Sequence, residues 1–403
     1  MPVQRGSAGP EPTDVLVVGG GVIGLAAAYR LARDGASVRL IDASGTRGAS
    51  WAAAGMLAPV SEAIFGEQEL TRLNLAAVPA FVRFATELES ALESALESEL
   101  GDAGTDRSVG LRTEGTLAVG FNADDRAALD RLTDFRNSLG LASERLTGSA
   151  ARRLEPYLST EVRGGVLALD DLSVDNRRYL TALRAGCEAA GVEFVVGEVT
   201  RLTSRDGRTS GACLTDGGEF PARTVVLCSG AATNRLLDVG VQPVKGQILR
   251  LAVPEKLRAA GEVLTRTVRG IVRGSEVYLV PRADGEVVVG ATSEQQGQDT
   301  TVTAGGVYEL LRNAYELLPI SSEFSFLEAR AGTRPGTADN GPLLGRLDDG
   351  LVLATGHYRN GILLSALTAE AVAALLSDAG HDNAQLAPEW APFGPTRFQT
   401  KEG

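Results

Sequence analysis

The chain has 403 residues, of which 44% are hydrophobic and 22% charged, a composition typical of globular proteins and a length sufficient for two domains. Its 51 acidic and 39 basic residues give a formal net charge of -12, which argues against binding to nucleic acid or to an anionic membrane surface. With three cysteines and two histidines, the chain is poor in the ligands of metal clusters and zinc sites, so no metal is expected.

The first 42 residues predict a βαβ unit. Residues 1–12 lack the apolar core of a signal peptide or anchor and are interpreted as a tail. An apolar run at 14–18 predicts a strand, glycines follow at 19–21 and 24, and an amphipathic helix extends to Arg33. Gly35 ends that helix, and 37–41 predicts a second buried strand that ends at Asp42. No stretch is long and uncharged enough to span a membrane, so we expect a cytoplasmic protein.

The rest of the chain predicts further helices and strands in a mixed order. Leucine at every fourth position predicts one helix over 67–100, followed by a loop at 101–108. Helices are then predicted at 123–139, 150–155, 174–190, 306–318 and 361–376. Strands are predicted at 116–120, 192–196, 199–203, 211–214 and 351–355. The buried run 224–229 resembles a returning parallel strand, and the β-rich region 243–291 favours an antiparallel sheet with strands at 246–253, 277–281 and 287–290.

The glycine turn carries the first functional signal. Gly19, Gly21 and Gly24 have the spacing that lets a chain turn, admit a pyrophosphate and pack a helix closely on a strand. Asp42 stands at the end of the second strand, where a carboxylate binds an adenosine ribose and disfavours a 2'-phosphate. FAD and NAD remain. The small residues 48–56, Gly-Ala-Ser-Trp-Ala-Ala-Ala-Gly-Met, favour FAD because backbone amides there can approach a large flat ring; the alternative is a tightly packed helix start.

We therefore predict an α/β protein, α+β overall, with a discontinuous Rossmann-like FAD-binding domain and a second domain built on an antiparallel sheet. The FAD-binding domain is assigned to 13–100, 165–240 and 326–380. The substrate domain is assigned to 101–164 and 241–325, and tails to 1–12 and 381–403.

Several motifs resemble the D-amino-acid oxidase and glycine oxidase family, most closely the glycine oxidases of thiamine biosynthesis. The resemblance covers residues 14–376. Its most specific part is Arg-Pro-Gly-Thr at 334–337 followed by Gly-His-Tyr-Arg-Asn-Gly at 356–361. Its other carriers are the glycine turn and the segments 52–57, 244–246, 278–282 and 289–292.

The resemblance implies a set of site residues. Arg334 would bind the substrate carboxylate, with Tyr278 beside it and Arg359 at the edge of the pocket. The residues implied to line FAD are Gly19, Gly21, Val22, Ile23, Gly24, Asp42, Ala43, Ala49, Ser50, Ala54, Gly55, Met56, Val199, His357, Tyr358, Arg359, Asn360, Gly361, Ile362 and Leu363. Ala43 and Ala49 stand where hydroxyl side chains are expected, and Trp51 is bulkier than expected. No cysteine lies between 329 and 360, so FAD is expected to be bound noncovalently.

The implied activity is oxidative deamination of glycine, and of small amines such as sarcosine or D-alanine, by hydride transfer to the flavin. Oxygen is the acceptor, and the products are an imine or glyoxylate, ammonia and hydrogen peroxide, with the imine serving the thiazole moiety of thiamine. His357 is interpreted as positional, and the N-terminus of the helix at 361–376 as stabilising reduced flavin; the alternative for Asn360 is a surface helix cap.

Two alternative functions and two points about partners stay open. One alternative is a sarcosine or D-amino-acid oxidase, or a dehydrogenase of another substrate. Another is a non-catalytic flavin-binding subunit or redox sensor. The expected partners are a small amino-acid substrate and oxygen, with neither nucleic acid nor membrane, while self-association into a homo-oligomer and hand-over of the imine to a thiazole synthase are undecided.

Overall fold

The chain divides into two compact units, each discontinuous in sequence. The computed structural model describes residues 11–43, 48–100, 108–377, 383 and 386–399. Unit 1 consists of Met1–Arg47, Leu183–Gln242 and Pro335–Gly403. Unit 2 consists of Gly48–Ala182 and Pro243–Arg334.

The helices are α1 (Val22–Arg33), α2 (Ala49–Ala52), α3 (Gln68–Leu100), α4 (Ala123–Ser138), α5 (Gly148–Leu154), α6 (Asn176–Ala189), α7 (Glu255–Arg258), α8 (Ala304–Leu317) and α9 (Gly361–Leu376). Short 3-10 helices occupy Gly230–Arg235, Pro319–Glu323 and Pro388–Phe393.

The first strands are β1 (Thr13–Val18), β2 (Val38–Asp42), β3 (Met56–Leu57), β4 (Thr116–Gly120), β5 (Glu144–Thr147), β6 (Gly164–Ala168), β7 (Leu172–Ser173), β8 (Glu193–Val196) and β9 (Val199–Arg205). The later strands are β10 (Arg208–Leu214), β11 (Glu219–Leu227), β12 (Gln242–Ala252), β13 (Thr267–Val272), β14 (Ser275–Pro281), β15 (Glu286–Gly290), β16 (Ser325–Gly336), β17 (Leu343–Asp348) and β18 (Leu351–Thr355).

Unit 1 is built on a largely parallel sheet with strand order β17-β18-β11-β1-β2-β8. The pairs β18/β11, β11/β1, β1/β2 and β2/β8 are parallel, whereas β17 is antiparallel to β18. Every residue of β18 is buried, as expected for a parallel strand covered on both faces. The carboxyl ends of β1, β2, β11 and β18 therefore lie along the same edge of this sheet.

Two helices begin at that edge and pack along each other. α1 follows β1 through the glycine turn, and α9 follows β18. α1 ends where Gly35 takes a φ of +96°, a left-handed conformation that glycine adopts without strain. The predicted returning strand at 224–229 is confirmed, because β11 pairs in parallel with β1 and places Leu227 opposite Val18.

Unit 2 is built on a second sheet with strand order β16-β12-β15-β14-β13-β4-β6-β5. The pairs β12/β15, β15/β14 and β14/β13 are antiparallel, which confirms the prediction for 243–291, whereas β13 and β4 are parallel. One face of the sheet packs against α8 through a cluster that includes Leu249, Leu279, Val289, Leu310 and Leu317, all at most 2% exposed.

The predicted fold class is confirmed, but seven strands were missed. These are the two-residue strands β3 and β7 and the longer strands β5, β6, β13, β16 and β17. In the division into compact units, 48–100, 165–182 and 326–334 fall in unit 2, whereas the predicted domain ranges assign them to the domain of the βαβ unit. In the segment 381–403, Pro388–Phe393 forms a 3-10 helix in which Trp390 and Phe393 are buried, so packing extends into the predicted tail. Residues 101–107 of the predicted loop at 101–108, residues 1–10 of the predicted tail at 1–12, and residues 400–403 lie outside the described residues.

Candidate active site

The glycine turn between β1 and α1 has no room for side chains. A Cβ at Gly24 would overlap the carbonyl oxygen of Gly19, and a Cβ at Gly19 would lie 2.6 Å from the carbonyl oxygen of Cys228. α1 begins after Gly21 with no side-chain cap and no acidic residue in its first turn. The amides of that turn therefore form the kind of helix N-terminus that binds a phosphate group.

Asp42 lies against the same turn. Its Oδ1 accepts a hydrogen bond of 3.0 Å from the Gly20 amide, and a Cβ at Gly20 would lie 2.9 Å from the Asp42 Cβ and Cγ. Ala43 follows Asp42 and is exposed. Val199, at the start of β9, is half-buried and lies two residues beyond Gly197, whose amide donates to the Asp42 carbonyl at 3.1 Å. Gly20 is a residue that the sequence analysis did not include in the site.

The resemblance implies that Val22 and Ile23 line the FAD, but their side chains are buried in the structure. Their side chains are 3% and 9% exposed and belong to the hydrophobic core. Any role of these two residues toward a nucleotide would therefore involve the backbone amides at the start of α1.

His357 is buried beyond the end of β18. Its ring is 2% exposed, and Nε2 lies 3.0 Å from the Thr368 hydroxyl on α9. Burial lowers the pKa of His357 to about 3, so the imidazole is neutral at physiological pH. This agrees with the positional interpretation of the residue.

The residues between His357 and α9 form a tight turn. Tyr358 has a φ of +45° and its amide donates to the Pro335 carbonyl at 3.0 Å. Arg359 is exposed, with its guanidinium 5.1 Å from the centre of the Tyr358 ring. Asn360 occupies the N-cap position of α9, but its side chain makes no capping hydrogen bond to that helix.

α9 begins beside α1. A Cβ at Gly361 would lie 3.7 Å from the His357 Cβ and 3.8 Å from Val22 Cγ1. The side chains of Ile362 and Leu363 are buried. We call the residues at this edge of the unit 1 sheet the nucleotide edge, defined as 19–24, 42–43, 199 and 356–363.

In unit 2, the small-residue segment 48–56, which we call the flavin run, packs on the second sheet. Ala49 and Ser50 open α2, and Gly48 precedes the helix without a side-chain cap. Ala54 is buried in a cluster with Ile248, Val280 and Val288.

Further contacts fix the flavin run on the same sheet. Met56 and Tyr278 pack against the Ala54 cluster. Gly55 has a φ of +75°, and a Cβ there would overlap the Val174 carbonyl oxygen. A Cβ at Gly332 of β16 would lie 3.0 Å from the Ala52 Cβ, so β16 passes close to α2.

Arg334 and Tyr278 lie over glycines of neighbouring strands. The Arg334 guanidinium occupies the space that a Cβ at Gly246 of β12 would fill, and the Tyr278 phenol occupies the space over Gly290 of β15. The order β16-β12-β15-β14 makes these four residues neighbours across the sheet. We call Arg334, Tyr278, Gly246 and Gly290 the substrate face.

Arg334 is half-buried without an acidic partner. Its Nη1 donates to the Thr292 carbonyl at 3.2 Å, and no carboxylate pairs with it in the part of the chain that the structure describes. A guanidinium carries five donors in a planar fork, so this side chain retains the capacity to bind a carboxylate at two points. The surface salt bridge that is the ordinary alternative is not formed among the described residues.

The structure thus brings the predicted residues together in two groups. The nucleotide edge of unit 1 gathers one group, and the flavin run with the substrate face gathers the other. Gly246 and Gly290 were absent from the predicted site, although both lie in the motifs 244–246 and 289–292 that carried the resemblance. Among the described residues, no three His, Cys, Asp or Glu side chains are arranged to hold a metal ion, and no helix is long and apolar enough to cross a membrane.

The residues present fit a flavin dinucleotide. The turn excludes side chains where a pyrophosphate requires close backbone approach, and the first turn of α1 carries neither an acidic residue nor a side-chain cap. The chain matches the sequence profile of the family described as FAD dependent oxidoreductase (DAO) over residues 14–375. The chain belongs to this FAD-dependent oxidoreductase family. The resemblance found in the sequence is confirmed, and FAD is the cofactor of the family.

The chain is similar to the following two proteins and one solved structure. The bifunctional protein ThiO/ThiG of Synechocystis sp. is 36% identical over 392 residues, covering 96% of this chain and 54% of that protein. The glycine oxidase of Geobacillus kaustophilus is 34% identical over 401 residues, covering 97% of this chain and 98% of that protein. A crystal structure of glycine oxidase from Geobacillus kaustophilus matches with a TM-score of 0.81 and 31% identity, covering 96% and 99% of the two chains. The chain spans about half the length of the bifunctional ThiO/ThiG relatives.

Proposed function

We propose that the protein is an FAD-dependent oxidase that deaminates glycine. The observation that carries this proposal is the half-buried Arg334, which lies over Gly246 and has no acidic partner among the described residues. A half-buried guanidinium without a counter-charge can accept an anion, and a substrate carboxylate would supply that charge. Tyr278 lies on the same face and adds a hydroxyl close to the same region of the sheet.

The chain's own residues would act mainly by binding and orientation. When bound, FAD supplies an acceptor for a hydride from the substrate Cα and a route for the electrons to oxygen. Arg334 would fix the carboxylate, so that the amino group and the Cα of a small amino acid are held in one orientation. His357 is neutral and bonded to Thr368, which supports a positional role rather than that of a general base.

The cofactor would be held noncovalently. The nucleotide edge would hold the adenosine and pyrophosphate, with Asp42 accepting from the ribose, and the flavin run would hold the ring system. Val199 and Ala43 would adjoin the adenosine, and the turn from His357 to Leu363 would close over the flavin. The first turn of α9, which Asn360 leaves without a side-chain cap, would stabilise negative charge on reduced flavin.

Glycine is favoured as the substrate by the relatives named glycine oxidase. The products would be an imine or glyoxylate, ammonia and hydrogen peroxide. The relatives in which ThiO is joined to ThiG support hand-over of the imine toward the thiazole moiety of thiamine. Cytoplasmic location belongs to this proposal, and self-association stays undecided.

Anaerobic reduction of the flavin tests the proposal. The purified protein, loaded with FAD, is mixed without oxygen with glycine, sarcosine, D-alanine or D-proline while the yellow absorption is recorded. We expect glycine to bleach the flavin fastest, and admission of oxygen to release one peroxide for each glycine consumed. If another amine bleaches the flavin and glycine does not, that amine is the substrate and the assignment of glycine is wrong. Bleaching by none of these amines would favour a non-catalytic flavin-binding subunit.

A further inference from the structure

Side chains from distant parts of unit 2 hold the backbone of the flavin run. Asn176, the first residue of α6, is fully buried, and its Nδ2 donates to the carbonyl oxygens of Ser50 at 2.9 Å and Trp51 at 3.1 Å. Arg282, the residue that follows β14, donates from Nη2 to the Ala54 carbonyl at 2.6 Å. The Ser50 and Trp51 carbonyls belong to the last turn of α2, where helices leave acceptors without backbone partners. Two side chains thus bind three carbonyl groups within five residues.

The orientation of the Asn176 amide is determined by its surroundings. Its Oδ1 accepts from Nη2 of Arg250 at 3.0 Å and from Nη2 of Arg282 at 3.2 Å. Because both neighbours on that side are donors and both on the other side are acceptors, only one orientation satisfies the four contacts. Asn176 therefore joins two buried guanidinium groups to the end of α2.

Charge in this network is incompletely balanced. Arg250 pairs with Glu286, whereas no carboxylate pairs with Arg282 in the described part of the chain. Arg282 is 5% exposed, and its Nε and Nη1 have no hydrogen-bond partner among the described residues. Burial lowers the pKa of Arg282 to about 10, so the side chain remains charged at neutral pH. A buried, partly unsatisfied charge is destabilising, and apolar residues of similar volume are often at least as stable in such positions. Stability alone therefore does not account for arginine here.

The bond from Arg282 orients one peptide plane of the flavin run. The Ala54 carbonyl and the Gly55 N–H belong to the same planar trans peptide, so they point in opposite directions. With the carbonyl held by Arg282, the Gly55 amide is turned away from the buried network. Gly55 cannot be replaced by a larger residue, since its Cβ would overlap the Val174 carbonyl oxygen.

We propose that Arg282 and Asn176 are positioning residues that fix the flavin run, and with it the Gly55 amide, in the orientation required to bind the flavin. This inference rests on the proposed placement of the flavin at residues 48–56. It adds to that placement Arg282, which follows β14, and Asn176, which opens α6, and neither of them is assigned to line the cofactor.

Two variants test the proposal through FAD binding rather than turnover. Arg282→Met keeps a long apolar side chain and removes the donor to Ala54. Asn176→Asp keeps the acceptor for both arginines and replaces the donor to Ser50 and Trp51 with an oxygen. For each variant we would measure the FAD dissociation constant by flavin fluorescence, the visible absorption spectrum, and the thermal midpoint of the FAD-free protein.

The expected result is a dissociation constant for FAD raised tenfold or more and an altered flavin spectrum, with the FAD-free midpoint close to that of the wild type. Arg282→Lys should recover part of the affinity, because an ammonium group can still donate to Ala54. If Arg282→Met does not fold, the FAD dissociation constant, flavin spectrum and thermal midpoint of Asn176→Asp test the proposal instead. Unchanged affinity and spectrum in the folded variants would overturn the proposal, as would affinity lost only in parallel with the FAD-free midpoint.

Asn313→Asp is the matched control. Asn313 is 1% exposed and accepts from Arg312 on α8, but it has no contact with the flavin run among the described residues. We expect its FAD affinity to equal that of the wild type, and an equal loss in this variant would refute a specific role for Asn176. If the wild type binds FAD but does not oxidise glycine, the proposed activity is wrong. The FAD affinities of the variants still test the positioning role of Arg282 and Asn176.

Discussion

The nucleotide edge of unit 1 is shaped by backbone, whereas the substrate face of unit 2 is shaped by two side chains that lie over glycines. At the nucleotide edge, Gly24 clears space for the carbonyl oxygen of Gly19, and Gly19 clears space for the carbonyl oxygen of Cys228. At the substrate face, Gly246 clears space for Arg334, which is far away in the sequence and adjacent only because β12 and β16 pair. Backbone atoms cannot move aside, so a site shaped by backbone is intolerant of substitution, whereas a site shaped by flexible side chains can be altered in steps.

The largest effect is expected at the nucleotide edge. Gly24→Ala places a Cβ on the Gly19 carbonyl oxygen, and backbone atoms cannot move aside as a flexible side chain does. We expect the FAD dissociation constant to rise about 1000-fold, or ~4 kcal/mol. Gly394→Ala in unit 1 is the control, because a Cβ there meets nothing within 4 Å. Flavin fluorescence measures both, and wild-type affinity in Gly24→Ala would contradict a backbone-shaped site.

The next effect is expected at the substrate face. Arg334→Ala removes a bidentate, charge-assisted contact worth ~3 kcal/mol, so the KM for glycine should rise about 100-fold while the FAD dissociation constant stays the same. Arg330→Ala on the same strand is the control, since Arg330 already pairs with Glu328 at 2.7 Å. Steady-state kinetics and flavin fluorescence separate the two quantities. If Arg334→Ala lost substrate affinity and FAD affinity equally, the substrate face would not have a role separate from cofactor binding.

A smaller effect is expected from the glycine beneath the guanidinium. Gly246→Ala would displace the end of the flexible Arg334 side chain, so the fold should tolerate it while the KM for glycine rises about tenfold, or ~1.4 kcal/mol. If Gly246 acts only through Arg334, the double variant with Arg334→Ala should be no worse than Arg334→Ala alone. Additive losses in kinetic measurements would show that Gly246 has another role.

The smallest effect concerns pH and unit 1. The pKa of His357 is about 3 in the folded protein and near the ordinary value of 6.5 when unfolded. Below pH 6.5 the unfolded chain therefore takes up the proton more readily, and stability is lost as the pH falls toward 3. His357→Gln should flatten the decline of the thermal midpoint between pH 7 and pH 4.5 by a few degrees. An equally steep decline in this variant would show that other groups cause the acid sensitivity.

The same contrast explains what could be predicted from the sequence. The βαβ unit, with Gly19, Gly24 and Asp42, is visible because its contacts join residues close in sequence and its strands are continuous apolar runs. β16 was missed because it is exposed or half-buried over most of its length and lacks an alternating apolar pattern. The pairing of Arg334 with Gly246 depends on which strands are neighbours, and the bond from Arg282 to Ala54 depends on how two segments outside the strands pack. Residue spacing along the chain contains neither piece of information.

Binding of a simple carboxylate tests the central claim that Arg334 anchors the substrate. The FAD-loaded wild type and Arg334→Ala are titrated with acetate and with acetamide, which has a similar shape and no charge, while the flavin absorption spectrum is followed. The account predicts that acetate perturbs the wild-type spectrum and competes with glycine, that acetamide does neither, and that Arg334→Ala responds to neither compound. Acetate binding of equal strength in wild type and Arg334→Ala would contradict it.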